Sequence, residues 1–243
     1  MKTLRHLVIV GRIGVDESGK ERGKMAQALC QGCFSKGILH TLIADASFPS
    51  DLPEETVVAF TSKAPRFPSV LVECEKRRLP LAVVSSNIVI PSSVKTPVFS
   101  GPNLGLVTVA VLGIFPRLSV LVKSLGAKSW VAEFHQSGKP SGSATAHEFA
   151  QMLGIPKEQV GSGRSDALAK VFLDVPDAYI DGFARIGIII GACGVTLRMS
   201  LETNGRAAYF EGLMAVIAKY YECENAIGPG VWPVDRLMFG DIN

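Results

Sequence analysis

The chain of 243 residues is 47% apolar and 19% charged, enough apolar material for one large core or two smaller ones. Its 25 Lys and Arg against 22 Asp and Glu leave a formal charge of +3, too small and too dispersed for the clustered basic footprint of a nucleic-acid partner. Five cysteines are an odd count, and Cys30-x-x-Cys33 has no second pair at ligand spacing, which argues against a disulfide frame and a zinc site and for a reducing cytoplasm.

The opening MKTLRHLVIV has only a four-residue apolar run before Gly11, short of a signal peptide's apolar core, and residues 4–10 read as a first strand. A helix follows over about 24–34, then strands at 38–44 and 56–60, a helix near 67–78 and a strand within 79–86. This alternation predicts a parallel βα-type sheet. LGLVTVAVLGIF, residues 104–115, stops at Pro116-Arg117, about half the length of a membrane span, and reads as a buried helix. A strand at 128–134 and a helix at about 144–153, closed by Gly154, come next. Residues 180–202 alternate weakly and carry several glycines, as antiparallel strands joined by turns would. A last helix spans about 206–222. The change of character near residue 107 predicts two domains: residues 1–106 with 207–243, and residues 107–206.

Glycine between a strand and a helix lets backbone N–H groups approach a pyrophosphate, and the helix N-terminus favours its charge. Gly11, Gly14, Gly19 and Gly23 are spread over thirteen positions, with no G-x-G-x-x-G. GVDESGKE, residues 14–21, has the gap and Gly-Lys of a phosphate-binding loop but places Glu21 where a hydroxyl must hold magnesium. A flexible glycine-rich loop is the plain alternative. Asp45, after the second strand, suits either a ribose hydroxyl or a turn cap.

EFHQSGKPSGSA, residues 133–144, holds a second constellation. His135, beside Glu133, is a proton donor for neutral pH; Lys139 adds a cation, and the Pro-Ser-Gly-Ser turn points N–H groups and hydroxyls from a helix start. The stretch reads as an acid beside an anion cradle, or as a capped helix with Thr145 and Glu148 in a capping box and Lys139 solvated.

At this loop the sequence resembles the dihydrodipicolinate reductase family, whose pattern is E-x-H-[HQ]-x-x-K followed by a P-S-G-T or A-S-G-T turn. Glu133, His135, Gln136 and Lys139 fit it position by position. VVAFTS (57–62), AVVSSN (82–87), GPNLG (101–105), GRAAYFEG (205–212) and the tail GPGVWPVDRL resemble further family segments in the family's order, with GRAAYFEG similar to the plant-like branch. The sequence differs from the pattern in a longer loop before Gly23, in Ala26 for the last glycine, and in Lys139 abutting Pro140.

The resemblance implies a Rossmann-type parallel-sheet domain completed by the C-terminal helix, plus a central α+β domain for substrate and oligomerisation. It implies hydride transfer from NADPH or NADH to a small unsaturated imine dicarboxylate, giving tetrahydrodipicolinate in lysine and diaminopimelate biosynthesis. His135 would be the general acid and Lys139 its assistant on a substrate carboxylate; Gln136, Gly142 and Ser143 would bind substrate. Gly23, Lys24, Met25, Phe60, Ser85, Ser86 and Asn103 would contact cofactor, and Asp45, from its place after the second strand, joins them as the ribose candidate. The resemblance also implies a homotetramer or dimer, while composition, cysteine usage and apolar run lengths point to a cytoplasmic protein without metal, membrane or nucleic acid. A non-catalytic dinucleotide-binding protein on the same scaffold is the alternative.

Overall fold

A computed structural model describes residues 3–15, 21–86, 88–101, 103–137, 142–180 and 182–240. In chain order the elements are β1 (His6–Val10), β2 (Gly14–Val15), β3 (Glu21–Arg22), α1 (Lys24–Lys36), β4 (Leu39–Ile43), β5 (Thr56–Phe60), α2 (Phe67–Arg77), β6 (Leu81–Val83), β7 (Pro97–Ser100) and α3 (Leu106–Ser124). There follow β8 (Lys128–His135), α4 (Ala144–Leu153), β9 (Gly161–Arg164), α5 (Asp166–Phe172), α6 (Asp177–Ile180), β10 (Ala184–Ala192), β11 (Val195–Thr203), α7 (Ala207–Glu222), β12 (Gly230–Pro233) and α8 (Val234–Phe239). The chain divides into two units, Met1–Leu104 with Tyr209–Asn243, and Gly105–Ala208.

The first unit is built on a six-stranded parallel sheet of order β12-β7-β6-β5-β1-β4. Every residue of β1 and β5 is buried, as expected of central strands in a sheet covered on both faces. Val8, Val10, Val58 and Phe60 pack with Phe67, Val70, Leu71 and Cys74 of α2. The sheet order reverses at β1, flanked by β4 on one side and β5 on the other. In such Rossmann-like doubly wound sheets the crevice at the carboxyl ends of the strands, at the reversal, is where ligands bind.

The second unit is a mixed sheet of order β11-β10-β8-β9. β10 runs antiparallel to both β8 and β11, and β9 parallel to β8. One face of the sheet, carrying Val131, Ile186, Ile188 and Ile190, packs with Leu112, Phe115 and Val122 of α3 and with Ala146, Phe149 and Leu153 of α4. Phe115 and Phe149 meet edge to face at 4.7 Å.

Several elements differ from the sequence expectation. The apolar stretch does not stop at Pro116: α3 continues through it to Ser124 and, by length and apolar composition, is long enough to cross a membrane. The missing proline N–H costs one intrahelical bond, offset by the burial of Leu112 and Phe115 before it and Val122 after it. Nor is α3 wholly buried, since Val107, Ile114 and Val120 are exposed on the side away from that core. The second half is not simply antiparallel, because β9 adds a parallel edge. The short strands β7 and β12, absent from the alternation pattern, complete the first sheet. Finally, Gly14-Val15 pairs antiparallel with Glu21-Arg22. The next helix begins only at Lys24; residues 16–20, which hold most of the candidate phosphate-binding loop, lie outside the described residues.

Candidate functional site

In the first unit two glycines mark the crevice at the end of β1. Gly11 lies so close to the neighbouring chain that an added Cβ would fall 2.4 Å from Thr61 Oγ1 and 2.8 Å from Ala26 Cβ. Thr61 ties the two strand ends together, its N–H and its hydroxyl both donating to the Val10 carbonyl at 2.9 Å. Gly23, at φ 71°, is the N-cap of α1, and a Cβ there would overlap the Arg12 carbonyl. Only glycine fits that turn. No side chain caps α1, and Lys24 and Met25 form its first turn. A strand, a close-packed glycine and an uncapped helix start fit a dinucleotide pyrophosphate. Ala26 of α1 is the helix residue that approaches Gly11.

The other cofactor candidates are placed unevenly. Asp45 is exposed just after β4, and its Oδ1 accepts from the Ser47 N–H at 2.9 Å, the turn-cap arrangement. The Ser47 hydroxyl and then its N–H, with the Arg66 and Arg12 charges nearby, hold its carboxyl below the ordinary value. Arg66 is itself anchored, donating to the Ala44 carbonyl at 2.6 Å. The Phe60 side chain is fully buried, edge to face with Phe67 at 5.3 Å, so its ring belongs to the core. Its carbonyl accepts from the N–H groups of Val84 and Ser85. Ser85 is half-buried, Ser86 exposed and Asn103 half-buried.

The quoted loop begins in the second unit at the end of β8, where period-two alternation sends Val131, Glu133 and His135 to the buried face. His135 is the last residue of that strand, only 3% exposed. Its Nε2 lies 3.0 Å from Glu133 Oε2. The same carboxylate oxygen accepts from the Ser143 N–H at 2.6 Å. The other, Oε1, accepts from Arg164 at 2.7 Å and from the Ser162 hydroxyl at 3.1 Å. The parallel β8–β9 register explains the convergence, since Ser162 lies opposite Glu133 and Arg164 opposite His135. Burial alone would push the Glu133 carboxyl up; the Arg164 hydrogen bond and charge, His135 and the Ser143 N–H outweigh it and hold it below its ordinary value.

This arrangement revises the expected cradle. Ser143 is the N-cap of α4, its hydroxyl accepting from the Ala146 N–H at 3.3 Å, while its own N–H is given to Glu133. The Ser143 N–H is therefore given to a carboxylate of the chain itself. The proposed Thr145–Glu148 capping box is displaced, because the cap lies two residues earlier. Gly142 is exposed, and a Cβ there would meet the His147 ring at 2.8 Å. His147 thus stands at this turn. Gln136 is half-buried, and Ser137 next to it donates from both N–H and hydroxyl to Asp166 at 2.8 Å. Lys139 lies outside the described residues. Sequence reasoning missed Ser162, Arg164 and Asp166; the clue available was the run GSGRSD in a loop otherwise without apolar periodicity.

No family model matches this sequence, and no curated protein matches it. The fold defines a two-domain class combining a Rossmann-like parallel sheet with a mixed second sheet. Within that class the structure is similar to a dihydrodipicolinate reductase from a Paenisporosarcina species, solved with dipicolinate bound, at TM-score 0.63 and 13% identity, covering 95% of this chain and 98% of that one. A DAP dehydrogenase from C. glutamicum in complex with DAP aligns at TM-score 0.44 and 10% identity, over 96% and 93% of the two chains. At 13% identity the likeness to the reductase is one of fold, and it does not support assignment to a plant-like branch.

Proposed function

We propose that this protein is a nicotinamide-dinucleotide-dependent oxidoreductase, and specifically a reductase of a small unsaturated imine dicarboxylate, the dihydrodipicolinate reaction of lysine and diaminopimelate biosynthesis. The observation that carries the reading is His135, placed at the end of β8 beside the start of α4 and joined to it through Glu133, on a fold that keeps Gly11 and Gly23 at the β1–α1 turn. The reduced nicotinamide, when bound, supplies the hydride. In this reading the first unit holds the dinucleotide through the backbone around Gly11, Gly23, Lys24 and Met25. His135 gives the proton, and Lys139 and Gln136 meet the substrate's carboxylates. Asp45 suits the free ribose hydroxyl of NADH, while the Arg66 and Arg12 charges beside it suit the ribose phosphate of NADPH, so either dinucleotide fits this reading.

The test couples the purified protein to dihydrodipicolinate synthase with pyruvate and aspartate semialdehyde and follows loss of NADPH and NADH absorbance. Turnover by wild type, reduced about 10² to 10⁴-fold in His135→Gln, is the expected result. Absence of turnover with either cofactor overturns the reductase reading.

One observation favours a second reading, a non-catalytic dinucleotide-binding protein. His135 is almost fully buried and bonded to a buried carboxylate, geometry that also suits a structural clamp. Tight NADPH binding without turnover would select it. The same proposal extends to a homo-oligomer built through the outward face of β8, β10 and β11, which presents Trp130, Ile189, Arg185 and Arg198 around a shallow pocket.

A further inference from the structure

Glu133 is the most heavily bonded side chain of the second unit's candidate site, and nothing in the proposed chemistry gives it a role. Its side chain is 2% exposed. Among the described residues it accepts from four donors on three elements: His135 on β8, Ser162 and Arg164 on β9, and the Ser143 N–H at the start of α4. A buried carboxylate held by a guanidinium and three further donors stays ionised, since its desolvation is offset donor by donor. An ionised acceptor at Nε2 requires that nitrogen to carry a proton. The ring is then held in one tautomer and orientation, and its doubly protonated form faces a fixed negative charge 3.0 Å away.

We infer that Glu133 is a positioning residue for His135: it holds the imidazole with Nε2–H donating to the carboxylate, stabilises the imidazolium, and locks α4 and β9 to the same oxygen pair. The catalytic part of this inference rests on the reductase reading, whereas the tautomer and the stabilised imidazolium do not. A buried clamp needs the four bonds but not the charge. Among the described residues, the charged and titratable groups placed around the His135–Glu133 pair are Arg164 on β9, Asp166 of α5, held by Ser137 two residues along, and His147, which approaches Gly142 next to Glu133. Arg164 acts in opposition, sharing the carboxylate's charge with the histidine. Removing either partner should therefore move the His135 titration in opposite directions, which a structural role alone would not do.

The experiment follows the His135 imidazole signals by two-dimensional proton–carbon NMR across pH in wild type, Glu133→Gln and Arg164→Gln, with circular dichroism checking that each variant is folded. The midpoint of His135 protonation should fall in Glu133→Gln and rise in Arg164→Gln, and the wild-type neutral ring should show the Nε2–H tautomer by its ring-carbon shifts. An unmoved midpoint in folded Glu133→Gln, or an Nδ1–H tautomer in wild type, overturns the inference. If Glu133→Gln does not fold, the sign of the Arg164→Gln shift and the wild-type tautomer decide. Where the coupled assay shows turnover, kcat of Glu133→Gln should fall about tenfold at pH 7 and less at lower pH, with KM little changed, since an opposite charge at this distance shifts a proton equilibrium by about a unit or more. A protein without turnover but with opposed NMR shifts sinks the reductase reading and leaves the role of Glu133 standing.

Discussion

Ion pairs and glycines at a few single positions govern how this chain responds to pH and substitution. His6 is buried in β1, with Nε2 2.9 Å from Thr41 Oγ1 and Nδ1 lacking a partner among the described residues. Burial, then the charge of His40, lowers its proton affinity from the ordinary value of 6.5. The unfolded chain therefore takes up that proton at a higher pH than the folded one, and stability falls as pH drops below about 6.5 toward the folded value. Glu133 adds a second loss below its ordinary 4.5, because its folded carboxyl is held lower still. Urea midpoints measured from pH 8 to 4 should decline in both windows, and His6→Gln should flatten the upper one. Gly23→Ala should destabilise by more than the about 1–2 kcal/mol of left-handed backbone strain, since its Cβ would also overlap the Arg12 carbonyl. A urea midpoint equal to wild type would show that the α1 turn is laxer than its geometry indicates.

At the scale of elements, α4 joins packing to the site. Ser143 contributes twice, its hydroxyl capping the helix and its N–H binding Glu133. Ser143→Ala removes only the first and should cost about 1 kcal/mol in thermal or urea unfolding. The His135 titration should stay where it is, because the N–H remains. Much at this scale was legible in advance: β5 and α4 fall on the residues that periodicity and capping signals mark, and the β10–β11 hairpin lies in the glycine-bearing stretch. β9 was not legible. GSGR has neither β-branched nor alternating residues, and its strand exists only because β8 offers an edge to pair with. The same applies to α3 beyond Pro116, where packing against α4 outweighs the local penalty for proline.

At the scale of the whole molecule, each unit carries its own share of the proposed function and can be tested separately. Arg66→Ala should weaken NADPH binding about tenfold or more while changing NADH binding little, as expected for one lost charge-assisted contact to phosphate, read by calorimetric titration. Equal losses for both cofactors would place Arg66 away from the ribose phosphate. Trp130→Glu, on the outward face of the second sheet, should reduce the molar mass measured by light scattering if copies associate through that face.

Local sequence alone determined the parallel sheet, the hairpin and the helix after the His135 loop, because alternation, glycine placement and capping act over a few neighbouring residues. It also marked His135 and the turn at Gly142 as candidates for chemistry. Tertiary structure alone decided that Phe60 is core, that Ser143 gives its N–H to Glu133, and that Ser162 and Arg164, some thirty residues downstream, complete that carboxylate's shell. The reason is strand register: a parallel pairing between distant segments sets which side chains share a buried face, and no spacing along the chain encodes it.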